Sequence, residues 1–113
     1  MGLATSQIRL EFLTLYRDDL EYKMQLITQT KLQLASGETA ILNAGTDLDP
    51  DSPEMKYLNQ RCEKLKEIEK QLDASIQRYQ TQLQAVDTEL ESAKKFVDAD
   101  IKRSFSYGGG GGG

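Results

Sequence analysis

Leucine or isoleucine returns at every seventh position through the first part of the chain, at Leu13, Leu20, Ile27, Leu34 and Ile41. Tyr16 and Met24 supply partial second positions beside them. In the second half the alternation of four and three is cleaner, running through Leu58, Cys62, Leu65, Leu72, Ile76, Tyr79, Leu83, Val86, Leu90, Ala93 and Val97. Glu69 interrupts that seam, and Ile68 beside it partly compensates. A repeat of seven held this long favours helices coiling left-handed around one another. A single helix with such a stripe would have nothing to bury it against. The pattern predicts an all-α fold, a long antiparallel helical hairpin of coiled-coil type that assembles into a helical filament or bundle.

The boundaries of the two helices are marked by their terminal residues. Thr5 or Ser6 can cap the first helix, and Gly45 suits a left-handed position just past its end. Ser52, Pro53 and Glu54 give the second helix a cap, a proline at its first position and an acid in its first turn. The organisation expected is a first helix over 1–44, an acidic turn over 45–52 and a second helix over 53–107 with a C-terminal overhang. Six glycines follow at 108–113, either native or left by cloning. Gly37 lies inside the first helix, where it costs about 1 kcal/mol relative to alanine and predicts a weak point near ASGE.

The turn holds Asp47, Asp49 and Asp51 at alternate positions, the opening of a calcium loop. Such a loop also needs glycine at its sixth position and a bidentate glutamate at its twelfth. Counted from Asp47 these are Ser52 and Leu58, and Pro50 and Pro53 restrict the backbone further. The segment reads as a solvated turn, with Asp51 and Glu54 favouring the positive end of the second helix.

Two segments do not suit an isolated hairpin. A symmetric fold about residue 48 places residue 5 near residue 92, so that everything after about Ala93 projects beyond its partner at about 1.5 Å per residue. That overhang carries Phe96, Val97, Ile101, Phe105 and Tyr107. At the other end of the chain Leu3, Ile8, Leu10, Phe12, Leu13, Leu15 and Tyr16 spread over most of the helix circumference. A stripe for one partner takes only about three positions in seven. Leu3, Ile8, Leu10, Phe12, Leu15, Phe96, Val97, Ile101, Phe105 and Tyr107 are therefore the expected self-assembly surface. The intrachain seam is Leu13, Leu20, Ile27, Leu34, Ile41, Leu58, Leu65, Leu72, Ile76, Tyr79, Leu83, Val86 and Leu90.

The turn DPDSPEMKYLNQ and the ending KKFVDADIKRSF resemble the type III secretion needle subunits. The matching positions are Pro50, Pro53, Phe96, Val97, Asp100, Ile101 and Phe105. The resemblance implies a small helical hairpin, exported without signal cleavage, that polymerises through Phe96, Ile101 and Phe105. The first helix is longer than a needle subunit's and the second seam more regular, closer to the coiled-coil filament subunits of such systems.

Composition narrows the function further. The 113 residues are 38% apolar and 28% charged, with no tryptophan, no histidine and two prolines. The net charge of −4 is spread over interspersed signs, without the basic stripe of a nucleic-acid binder. No apolar run reaches the roughly 18 residues of a membrane span. Arg9 and Glu11 break up any signal-peptide core. Met1-Gly2 with Ser6 fits a loose myristoylation pattern that arises easily by chance.

Without histidine there is no imidazole base or ligand, and there is no glycine-rich phosphate loop. Cys62, the one cysteine, sits on the seam as a small hydrophobe. No enzyme, cofactor or metal is expected. The expected product is a structural subunit that partners itself, and with it a secretion apparatus or chaperone, secreted or at the cell surface without a cleaved signal. The alternative is a cytoplasmic coiled-coil adaptor or export chaperone that binds a partner helix. No nucleic acid and no integral membrane segment enter either reading.

Overall fold

The computed structural model describes residues 2–106; Tyr107 and the glycine run lie outside the described residues. The protein is an all-α helical hairpin of α1, Leu3–Gly45, and α2, Pro53–Phe105, with no strand among the described residues. It divides into two compact units, the first of Met1–Tyr22 with Gln80–Gly113 and the second Lys23–Tyr79.

The turn follows from local chemistry. The Met55 N–H donates to Ser52 Oγ at 3.1 Å, the bond expected of a helix N-cap, with Pro53 opening α2. Asp49 Oδ1 accepts from the Asp51 N–H at 3.1 Å, so this aspartate shapes the backbone that follows it. Gly45 departs from expectation. It is the last helical residue, and no described residue has a positive φ. Its small size is used instead: a Cβ there would stand 3.1 Å from Met55 Sδ and 3.3 Å from Met55 Cε. Glycine lets α2 press on the end of α1.

The pairing register differs from that of a symmetric fold about residue 48. In the second unit Lys31 Nζ lies 2.5 Å from Asp73 Oδ1. In the first, Arg17 Nε lies 2.5 Å from Asp87 Oδ1. Both pairs have residue 52 as their midpoint, not residue 48. Residue 5 therefore falls opposite about residue 99, and the overhang shrinks to the last helical turn of α2.

In the first unit the seam is buried at Leu13, Leu20, Val86, Leu90, Ala93 and Val97, with Leu83 half-buried. It extends through Ser6 and Asp100, which are 1% and 4% exposed. Ser6 does not cap α1. The helix begins earlier, and the Ser6 hydroxyl donates back to the Leu3 carbonyl at 3.0 Å. Arg17, rather than Tyr16, takes the second seam position, and Tyr16 is exposed.

In the second unit Ile27, Leu34, Ile41, Leu58, Cys62, Leu65, Leu72, Ile76 and Tyr79 are all half-buried. Ile68 does not compensate for Glu69. It is exposed, while Glu69 keeps the seam position, because four-three spacing directs the glutamate and not its neighbour inward. α1 runs unbroken through Gly37, where a Cβ would meet only Leu65 Cδ1 at 3.8 Å, an ordinary contact.

Candidate assembly surface

The first unit contains most of the side chains expected to join subunits, and burial sorts them. Val97 is 7% exposed and belongs to the intrachain seam, because the shifted register carries α1 over it. Leu3 and Leu10 are half-buried and continue the Arg17 row toward the start of α1. Tyr107 falls outside the described residues.

Six of the expected positions remain open to solvent: Ile8, Phe12, Leu15, Phe96, Ile101 and Phe105. Those on α2 do not form one stripe. At about 100° per residue, Phe96 and Ile101 lie on opposite flanks of the Val97–Asp100 seam, roughly 140° apart. Phe105, at 79% exposure, stands beside Ile101 in the last turn.

The α1 residues are better organised. Ile8, Phe12 and Leu15 are 66%, 65% and 69% exposed, and Tyr22, one repeat beyond Leu15, is also exposed. Their positions fall within about 80° of one another on the helix, opposite the seam of Ser6, Leu13 and Leu20. No residue of α2 paired through that seam can reach them. The Phe12 and Tyr16 rings stack beside the stripe with centroids 6.4 Å apart and planes 1° from parallel. Tyr22 went unrecognised in the sequence because the outward spacing of seven from Ile8 through Leu15 is masked by the inward one.

Polar groups border this surface. A groove of about 530 Å³ is lined by Thr14, Arg17, Asp18, Asp87, Leu90, Glu91 and Lys94. Arg17 spans it, paired to Asp87 and at 2.7 Å to Glu21. Its guanidinium is held above its ordinary value, first by the hydrogen bond to Asp87 and then, against partial burial, by the charges of Asp87, Glu21 and Asp18. Near the end of α2, Arg103 Nη2 donates to Asp100 Oδ1. Asp100 Oδ2 is buried without a hydrogen-bond partner.

In the second unit a shallow, mostly apolar hollow of about 460 Å³ lies beside the turn, lined by Ala44, Leu48, Pro53, Glu54, Tyr57 and Leu58. The Arg61 guanidinium lies 5.8 Å from the Tyr57 ring centroid. Among the described residues no helix is long and apolar enough to cross a membrane, and no group of three histidine, cysteine or acidic residues could hold a metal ion. The side chains assembled here are suited to contact, through apolar area bordered by charge. In comparisons with protein-family models, curated proteins and solved structures, nothing matches this chain.

Proposed function

We propose that the protein is a self-assembling structural subunit of a bacterial extracellular or secretion-related filament, joined to its neighbours through the outer face of α1 and the last turn of α2. The observation that carries this reading is the exposure of Ile8, Phe12 and Leu15 on the side of α1 that faces away from α2. Covering a large apolar side chain stabilises by about 1.5–3 kcal/mol, so three on one face, with Phe105 at the end of α2, favour association. The resemblance of the turn and of the Phe96–Phe105 segment to secretion needle subunits points the same way and suggests export without a cleaved signal.

Light scattering on the full chain tests the reading, beside a variant carrying Phe12→Glu, Leu15→Glu and Phe105→Glu. A large species that these substitutions reduce to single hairpins supports it. A single hairpin at every concentration for the unaltered chain removes it. A second reading, a cytoplasmic coiled-coil adaptor or export chaperone, draws on the apolar hollow beside Tyr57, which is separate from the outer face of α1. It predicts a stable small oligomer with no polymer in electron micrographs.

A further inference from the structure

We infer that the outer stripe of α1 packs against the same stripe of a second copy of this chain, the two α1 helices running in parallel about a two-fold axis. The inference rests on the self-assembly reading and specifies its first contact.

Ile8, Phe12, Leu15 and Tyr22 are spaced as the two core positions of a heptad, with Asp19 filling the one missing place. α1 thus carries two seams on opposite sides, one turned to α2 and one to solvent. Side chains of this size bring about 150–250 Å² each to an interface when aromatic and somewhat less when aliphatic. At the exposures observed, 59% to 69%, the four present roughly 400–500 Å² of apolar surface. Two copies cover on the order of 1,000 Å² from these positions alone, the lower bound of a specific interface, and the flanking residues add to it.

Charge selects the direction. Arg9 borders the stripe on one side, and Glu11 and Asp18 border it on the other. With the helices parallel about a two-fold axis, the Arg9 side of each copy faces the Glu11–Asp18 side of the other. An antiparallel pair would set like flank against like. Asp19 has an interaction within its own chain and is the polar member of the stripe. A parallel pair brings the two Asp19 side chains to the same core layer, a cost in stability that the apolar positions on either side must exceed. A two-fold contact of this kind closes on itself, so growth beyond a pair falls to the end of α2.

The test uses the full chain with Cys62→Ser, so that only an introduced thiol reacts. Ile8→Cys and Tyr22→Cys stand at the two ends of the stripe. Each alone is expected to give a disulfide-linked dimer on mild oxidation. Adding Phe12→Glu and Leu15→Glu should abolish that product while helicity is unchanged, since neither side chain serves the inner seam. Cross-linking only when the two cysteine variants are mixed would mean antiparallel helices and overturn the inference. No cross-linking from either variant or their mixture, with the unaltered chain still larger than one hairpin by light scattering, would overturn it while leaving self-assembly standing. An unaltered chain that is always a single hairpin overturns both.

Discussion

In the first unit Leu13, Leu20, Val86, Leu90, Ala93 and Val97 are all buried, whereas in the second every apolar seam side chain from Ile27 to Tyr79 keeps part of its surface in water. The repeat is the same and the outcome differs. Two features account for it. The first unit places small residues on the seam, Ser6 and Ala93, each 1% exposed, and the distance between packed helices is set by the side chains at the contact. The second unit sets three charged residues on its seam, Lys31, Glu38 and Glu69, against Arg17 and Asp100 in the first; Lys31 reaches out to Asp73, and Glu38 Oε1 is buried without a hydrogen-bond partner. A heptad pattern therefore states which residues face inward, and the sizes and charges at those positions decide how dry the seam becomes.

The largest effect that would sharpen this comparison comes from truncating one leucine in each unit. Leu20→Ala, at a side chain 1% exposed, should destabilise by about 2–5 kcal/mol in urea unfolding. Leu34→Ala, at a half-buried position, should cost about half as much. Equal losses would mean that the two units do not differ in the way their exposure indicates. Next is Arg103→Ala, which leaves the Asp100 carboxylate buried with no partner. A loss of about 1–3 kcal/mol is expected, read as a lower unfolding midpoint with an unchanged slope.

Gly37→Ala acts in the opposite direction. With only Leu65 Cδ1 at 3.8 Å from the added carbon, the substitution should stabilise by about 1 kcal/mol. A destabilising result would show that α2 lies closer there than the structure has it. The smallest effect concerns Lys31 and Asp73. The hydrogen bond to Asp73 holds the Lys31 ammonium above its ordinary 10.5, with the charges of Asp73 and Glu69 adding to it against partial burial. A raised value on a cation contributes stability that is complete below 10.5 and is lost as pH rises through the folded value. Asp73→Asn should therefore lower the melting temperature slightly at neutral pH and by less as the pH passes above 10.5, and the gap should shrink in high salt.

Much of the fold was legible in the sequence. Seven-residue spacing places each of the thirteen seam residues from Leu13 to Leu90 at a buried or half-buried position, and Ser52-Pro53 starts α2 where a cap and a proline require. Register was not legible, because a period of seven says which residues face inward and not which pair across the turn; the Arg17–Asp87 and Lys31–Asp73 pairs give a midpoint at residue 52. That one shift moves Val97 and Asp100 from the overhang into the seam. Cross-helix ion pairs were missed for the same reason, since Arg17 and Asp87 become neighbours only once the register is known. The outer stripe could have been found by searching α1 for a second period of seven.

The midpoint at residue 52 also limits how such a chain can change in length. Removing one residue from the middle of α1 rotates everything beyond it by about 100°, carrying seam side chains toward water and outward ones toward α2. The loss or gain of seven residues in one helix, matched by seven opposite, keeps Arg17 beside Asp87 and Ile8 facing out. Variants of this hairpin that still work should therefore differ by paired whole repeats, with the elbow from Gly45 to Leu58 preserved.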